Sequence, residues 1–517
     1  MNLSGVLEHH ADRHPDRLAL EFAGEESTYT QLLARVRRTA GALRDAGVER
    51  GDVVALLLYN SLDFLNLMFA TAHLGAIFMP LNWRLAGPEL EYIVNHAGTK
   101  VLVSEEQLED RVAGVREELR CETFLRLGRE SSEGWRSLDE ARERADPVLR
   151  AAEVSGDDVH RLMYTSGTTS RPKGVMITYA NLYWKNVVQA IELGAMADDR
   201  GLACGPLYHV GALDLTTTTH LYVGATTHIL RRFDAREVLD AIERHRITAI
   251  WLAPAMVHAI MGEPSIERRD LSTVRLIING GEKMPLPLIE KTLASFPNAW
   301  FADAYGLTET VSGDTFLDRE HARSKIGSVG KPVLHHEVRI VDDAGRDVGP
   351  GEQGEILVRG PKVFKGYWRD EKATAAVMVD GWFHTGDIGT IDEDGFLYIL
   401  DRLKDVIISG GENITSLEIE RALYEHEAVS EVAVVARPDD RWGEVPVGYV
   451  AVREGEQIPE GELIAFCRER LAKYKVPRAI RFVDALPRNP SGKVLKRELR
   501  DRELNEGRAA TREGAMR

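Results

Sequence analysis

The chain has 517 residues, 44% hydrophobic and 28% charged, with a formal net charge of −16. That length predicts about three to four domain equivalents with a large core. The acidic balance excludes nucleic-acid binding through a general electrostatic field, while a local basic pocket for a nucleotide stays allowed.

Three widely spaced cysteines, Cys121, Cys204 and Cys467, exclude a disulfide framework and a cysteine metal site, and Cys204 reads as a buried structural thiol. Residues 1–16 lack a charged start followed by an apolar run, so no signal peptide is expected. The most apolar stretch, residues 65–81, is broken by Asn66, His73, Gly75 and Pro80. It reads as a buried helix, turn and strand, not a membrane span. A cytoplasmic protein is expected.

In chain order, residues 18–22 form a short apolar run. A helix follows, with Thr30 as its cap and Leu32, Leu33, Val36, Ala40 and Leu43 on one face; Gly47 ends it. Residues 53–58 are continuously apolar, as in a strand buried on both faces. Ser61 caps the next helix, a further helix covers 88–96, and 100–104 returns as a strand. This βα alternation predicts parallel sheets covered by helices. Residues 105–158 are charged and weakly periodic and are assigned to peripheral helices and loops. Alternation then resumes, with helices at 181–193 and 234–245 and strands ending at Pro206 and covering 225–230, 249–252 and 274–278. After Gly327, short runs between Gly, Pro and Asp turns predict a small β-rich subdomain to about residue 400. Residues 401–517 read as a small α+β domain, with helices at 416–424 and 462–471 and strands at 432–436 and 447–452. The tail after Asn505 is expected to be frayed.

One stretch organises the chain: Tyr164-Thr165-Ser166-Gly167-Thr168-Thr169-Ser170-Arg171-Pro172-Lys173-Gly174, between two strand-like segments. Small residues allow backbone N–H groups to cradle an anion, hydroxyls add donors, and Lys173 supplies a point charge suited to phosphate. The spacing is not that of the common P-loop, since the lysine precedes the second glycine. The string resembles the signature loop of the adenylate-forming superfamily, which includes acyl-CoA and aryl-CoA ligases, luciferases and amino-acid adenylation domains. Ser170 departs from it, standing where the family usually has Gly.

Further matches follow in family order. Tyr305-Gly306-Leu307-Thr308-Glu309-Thr310 resembles the second nucleotide motif. The resemblance implies that Tyr305 packs on adenine, Thr308 meets the α-phosphate, and Glu309, with Thr165, holds Mg²⁺. A hard cation with phosphate ligands needs only one or two protein carboxylates. Gly281, Glu282, Asp303 and Ala304 are implied beside the nucleotide. In His384-Thr385-Gly386-Asp387, Asp387 is implied to accept both ribose hydroxyls, as a carboxylate's two oxygens allow. Arg402 is implied at ribose or phosphate, Lys404 at a hinge, and Gly410-Gly411 along a pantetheine channel. Lys493, in Pro490-Ser491-Gly492-Lys493, is implied as the catalytic lysine that relieves like-charge repulsion between a carboxylate and ATP.

The resemblance implies an α/β fold. It comprises a large N-terminal AMP-binding domain (1–400, its β-rich subdomain at about 327–400) of parallel helix-covered sheets, then a small mobile α+β C-terminal domain (401–517). It implies ATP, Mg²⁺ and coenzyme A as cofactors, and an acid–thiol ligase that makes an acyl-adenylate and then an acyl-CoA. Its partners are a small carboxylic acid and CoA, with no nucleic acid and no transmembrane segment. A carrier protein and a second copy of the chain stay open as partners. The alternatives are an acyl-AMP ligase loading a carrier protein, a luciferase-like oxygenase and, from another class, a non-catalytic nucleotide-binding protein.

For the acid, His209 is implied to flank the acyl pocket and to take part in catalysis. Val210 stands where amino-acid-activating relatives carry Asp, which disfavours an ammonium substrate. Gly306 stands where acetate-type enzymes use Trp, implying an acid larger than acetate. Ala304 stands where malonate-activating relatives carry Arg. With Gly211, Leu213, Ile278 and Leu307 these give a mainly apolar tunnel for a medium or long fatty acid or an aryl or cinnamate-like acid. Asp214 and Thr216 to Thr219 are candidates to bond a ring hydroxyl or to cap a helix. The His9-His10 and His335-His336 pairs are expected on the surface, and no His-Glu-x-x-His zinc motif or Gly-x-Ser-x-Gly elbow occurs.

Overall fold

A computed structural model of the chain describes residues 2–165, 171–281, 284–409, 412–439, 442–453, 455–473, 475–488 and 494–504. The chain divides into two compact units, residues 1–338 with 358–383, and residues 339–357 with 384–517.

The first unit holds two large sheets. The seven-stranded one runs Arg136–Ser137, Thr123–Arg126, Thr99–Ser104, Val53–Leu57, Ile77–Pro80, Val159–Thr165, Lys173–Thr178. Its pairs are parallel except the last, where Thr165 lies opposite Lys173. All of Val53–Leu57 is buried, as its unbroken apolar run requires when helices cover both faces. The nine-stranded sheet runs Lys331–Pro332, Thr315–Phe316, Trp300–Tyr305, Leu276–Gly280, Ala249–Leu252, Arg200–Ala203, Thr226–Ile229, Leu18–Phe22, Glu25–Thr28. Its six central strands are parallel and antiparallel strands close its edges.

In the second unit, Leu397–Arg402 pairs antiparallel with the end of Trp382–Ile391, setting Asp387 opposite Arg402. A five-stranded sheet there runs Glu412–Ile414, Ile407–Ser409, Gly443–Val452, Val429–Asp439, with Ala479–Phe482 on Gly443–Val452. Helices Ser416–Tyr424 and Glu460–Arg468 accompany it, so the unit is α+β as expected. Among the described residues no helix is long and apolar enough to cross a membrane.

Several local expectations are corrected. The first long helix starts earlier, at Tyr29, because Thr28 and Gln31 form a reciprocal capping box and Thr30 lies inside the helix. Residues 105–158 contribute two strands to the seven-stranded sheet, hidden in the sequence because short edge strands carry little period-2 pattern. Helices Pro254–Gly262 and Leu286–Ser295 fill crossovers that the sequence left unassigned. His10 and His336 are buried, each 7% exposed, against the surface reading of both histidine pairs; only His9 and His335 are exposed. Cys204 is buried as expected, and burial pushes its thiol up to about 12.

Candidate active site

The nucleotide-motif residues of the first unit lie at the carboxyl ends of parallel strands, where open α/β sheets place their ligands. Thr165 ends Val159–Thr165, Gly281 follows Leu276–Gly280, and Asp303, Ala304 and Tyr305 end Trp300–Tyr305. Ser166, Gly167, Thr168, Thr169, Glu282, Gly410, Gly411 and Lys493 lie outside the described residues, as does the side chain of Lys404, whose backbone sits in the turn Leu403–Asp405.

Thr308 and Glu309 form a single 3₁₀ turn, Thr308–Thr310, held by the Thr310 hydroxyl, which bonds both Leu307 backbone groups and the Asp314 carboxylate. Glu309 is buried. Its Oε1 accepts from the Tyr367 hydroxyl at 2.9 Å and its carbonyl from the Phe364 N–H at 2.7 Å. Tyr367 also presents its ring to Lys173, 4.8 Å from the ammonium. Residues 363–368 are pinned to the strand after the phosphate loop by Lys365 N–H to Met176 O (3.0 Å), Met176 N–H to Gly366 O (3.0 Å) and Trp368 N–H to Gly174 O (2.7 Å). One tyrosine thus joins Lys173, from the signature loop, to Glu309, from the second motif. Sequence reasoning missed it; a tyrosine after Lys365-Gly366 carries no chemical signal of its own. For a divalent cation, the donor set fits: an anchored carboxylate and the Thr165 hydroxyl are hard oxygen donors of the type Mg²⁺ prefers.

Asp303 is buried, and burial pushes its carboxyl up to about 7 although Asn279 donates to it at 2.9 Å. Asn279, also missed, is its register partner on the neighbouring strand.

The residues expected around the acid gather in this unit. His209 accepts from the Gly211 N–H at Nδ1 (3.1 Å), and its ring stacks on Trp251 with centroids 5.9 Å apart and planes 26° apart. Trp251 is a register partner of Ile278, and Ala304 lies beside Gly280 on the next strand. A side chain at Gly211 would meet the Trp251 ring at 2.5 Å, so glycine there is dictated by the indole. Gly306 is under a related constraint. A Cβ there would lie 2.4 Å from Gly313 N and 2.9 Å from Ser312 C, so this glycine admits the chain's own backbone. Val210 is buried, and Leu307 is half-buried.

Next along the chain from Gly211, Asp214 joins a buried charge network that the sequence did not announce. Arg161, on the strand entering the phosphate loop, bonds Asp214 at 2.6 Å. Lys185 donates to Asp214 O (2.9 Å) and Thr218 Oγ1 (2.6 Å). Burial lowers the Lys185 ammonium to about 7, opposed by Asp214. Asp214 therefore neither caps a helix nor waits for a ring hydroxyl: it and Thr218 fix a π-helical turn, Gly211–Thr218. Lys362 similarly holds the segment after Glu309, donating to Ser312 O (2.9 Å) and Gly313 O (2.6 Å), with Asp314 at 3.4 Å. Buried lysines read as surface residues in sequence because only tertiary partners compensate their burial.

In the second unit, Asp387 and Arg402 come together, with Arg402 Nε 3.3 Å from Asp387 Oδ1. The Thr385 hydroxyl accepts from the Asp387 N–H (3.1 Å) and donates to Ile356 O (2.7 Å), while Glu355 takes the His384 ring (2.8 Å) and the Gly386 N–H (3.1 Å). Asp401 accepts from the Ser416 N–H (2.6 Å) and hydroxyl (2.7 Å).

Comparison with known proteins agrees with this arrangement. Residues 7–368 match the AMP-binding enzyme family, and residues 418–493 match the AMP-binding enzyme C-terminal domain. The chain belongs to the AMP-binding enzyme family. It is 42% identical over 488 residues to a feruloyl-CoA synthase of an Amycolatopsis species, covering 94% of this chain and 96% of the relative. It is 41% identical over 502 residues to an indoleacetate–CoA ligase of Aromatoleum aromaticum, covering 97% and 98%. Its structure is similar to that of o-succinylbenzoate CoA synthetase of Bacillus subtilis in complex with its acyl-adenylate intermediate, with a TM-score of 0.86, 35% identity and coverage of 96% and 97%. The chain is therefore an AMP-forming acyl-CoA ligase of α/β fold that uses ATP, Mg²⁺ and CoA.

Proposed function

We propose that this ligase activates an aromatic carboxylic acid, of the aryl-propenoate or arylacetate type, and transfers it to CoA. The observation that carries the reading is the His209 ring stacked on Trp251, whose register partner is Ile278. A flat, apolar surface of this kind favours offset or edge contact with an aromatic ring. Feruloyl-CoA synthase and indoleacetate–CoA ligase, both named for aromatic acids, support it. Val210 offers no anion to an α-ammonium and Ala304 no cation to a second carboxylate.

In the mechanism proposed, the backbone and hydroxyls of residues 165–169 and the Lys173 ammonium hold the triphosphate. Thr308 orients the α-phosphate, Tyr305 and Gly281 line the adenine, and Asp387 and Arg402 take the ribose. Glu309 and Thr165 would hold Mg²⁺, which would supply neutralising charge at the phosphates. Lys493 brings the substrate carboxylate against the α-phosphate by bridging their oxygens. Carboxylate oxygen then attacks phosphorus and pyrophosphate leaves with the electron pair of the broken P–O bond. Residues 401–517 move as a body about Lys404, withdrawing Lys493 and presenting Gly410 and Gly411 to pantetheine. The CoA sulfur then displaces AMP from the acyl carbon. Positioning and charge stabilisation provide the catalysis. We place the enzyme in the cytoplasm, with CoA as the acyl acceptor; a carrier protein and a homodimer are secondary readings.

The test is pyrophosphate release from ATP and Mg²⁺ across acetate, fatty acids, benzoates, arylacetates and cinnamates, with and without CoA. The expected result is fastest turnover on an aromatic acid, dependent on CoA. Preference for a long-chain fatty acid would overturn the assigned acid class, and release indifferent to CoA would move the acceptor to a carrier protein.

A further inference from the structure

Far from the nucleotide motifs, three ligand-bearing side chains from three elements converge. Glu21 and His228 are register partners on adjacent parallel strands, Leu18–Phe22 and Thr226–Ile229, so their side chains share a face. His245 is the last residue of the crossover helix Ala235–His245, which ends at Arg246 with φ 52°. His228 Nδ1 lies 3.1 Å from Glu21 Oε2, and His245 Nε2 lies 3.7 Å from the same oxygen. The two imidazole centroids are 4.3 Å apart, and one ligand atom from each of the three residues falls within a mutual 4.8 Å.

We propose that Glu21, His228 and His245 form a binding site for a Zn²⁺-class transition-metal ion that staples the N-terminal strand to the crossover helix. Zinc bonds of about 2.0–2.2 Å to nitrogen and oxygen imply tetrahedral ligand separations of roughly 3.3–3.5 Å. The two N···O separations, 3.1 and 3.7 Å, bracket that value, and the ligand atoms of all three residues lie within 4.8 Å of one another. Two imidazoles select zinc, cobalt or nickel over magnesium and calcium, which demand oxygen.

The surroundings fit a metal ligand set. Glu21 Oε1 accepts from the Gly24 N–H at 2.8 Å, which orients the carboxylate and leaves Oε2 toward the histidines. The Arg200 guanidinium donates to the His245 carbonyl at 3.2 Å, fixing the helix end. The His245 side chain is 23% exposed, giving an entry path and a fourth position for water. The strand carrying Glu21 lies five strands along the sheet from Trp300–Tyr305, roughly 24 Å at ~4.8 Å per strand. The ion is therefore structural, and separate from Mg²⁺ at the phosphates.

The test uses the full-length chain after chelator treatment. Co²⁺ titration of the wild type is expected to give one equivalent of binding with an intense visible d–d band of tetrahedral type, displaced by Zn²⁺. Glu21→Gln and His245→Ala are expected to weaken binding at least tenfold and to abolish the rise in Tm that Zn²⁺ gives the wild type. Mg²⁺-dependent pyrophosphate release should be equal in all three. His245 is partly exposed and Glu21→Gln keeps shape, so folding of at least one variant is secured. Absence of a tetrahedral cobalt spectrum in the wild type would overturn the site and leave a simple Glu21–His228 hydrogen bond. So would a spectrum that both variants retain undiminished.

Discussion

Replacing Tyr367 by Phe removes one oxygen and tests how the Glu309 carboxylate, proposed to bind the cation, is positioned. The hydroxyl donates to Glu309 Oε1 at 2.9 Å, and burial together with Glu309 raises the phenol's pKa, so it stays a donor throughout the working range. A hydrogen bond to a charged acceptor contributes about 1.5–3 kcal/mol. At about 1.36 kcal/mol per tenfold, its loss should slow adenylation by about 10- to 150-fold. The ring survives in the variant, so its contact with Lys173 at 4.8 Å should persist. The assay is pyrophosphate release at saturating ATP and acid as a function of Mg²⁺. Beside it, thioester formation is measured from a preformed acyl-adenylate, a step that does not use Glu309 in the proposed mechanism. The expected result is a right-shifted Mg²⁺ dependence with the second step unchanged. Equal loss in both steps would mean that Tyr367 only stabilises the fold, and an unchanged Mg²⁺ curve would refute a positioning role.

Lys493→Ala should cripple adenylation far more than thioesterification of preformed adenylate; equal losses would remove Lys493 from the first step. Gly306→Ala drives a Cβ to 2.4 Å from Gly313 N, so it should cost ~1–3 kcal/mol of stability as well as activity, read by denaturant melts beside pyrophosphate release. A gain of activity on short acids without destabilisation would show that the site is open space. Asp303 has its pKa raised from 3.8 to about 7. The folded state therefore holds a proton that the unfolded state loses, and stability falls as pH rises from about 4 to 7, by up to about 4 kcal/mol. Asp303→Asn should flatten this dependence in denaturant midpoints taken between pH 5 and 8; parallel curves for the two proteins would place the titration elsewhere.

The two kinds of site information differ in what they need. The signature loop, the Tyr305–Thr310 motif, Asp387 and Arg402 could be singled out in the sequence because each is a local string whose residue types suit phosphate, cation or ribose. The strand ends that carry Thr165 and Tyr305 followed from apolar runs. Thr28's capping box was legible too, in the Thr-x-x-Gln spacing, but Thr30 was taken in its place. Tyr367, Trp251, Asn279 and the Lys185–Asp214–Arg161 network were not legible, since each acts through a partner remote in sequence. Lys185 reaches Asp214 across 29 residues, Tyr367 reaches Glu309 across 58, and Arg161 reaches Asp214 across 53. Gly306 was read as an opening for substrate, whereas its Cβ direction is filled by residues 312–313.

The sequence alone thus determined the parallel helix-covered architecture and the strings that resemble nucleotide motifs. Both depend on periodicity and short strings, which a linear chain displays. Tertiary structure decided which buried charges find compensation, which glycines yield to a neighbour's ring or backbone, and which tyrosine steadies Glu309. Those outcomes depend on desolvation and on contact at a few ångströms, and neither exists until distant segments pack.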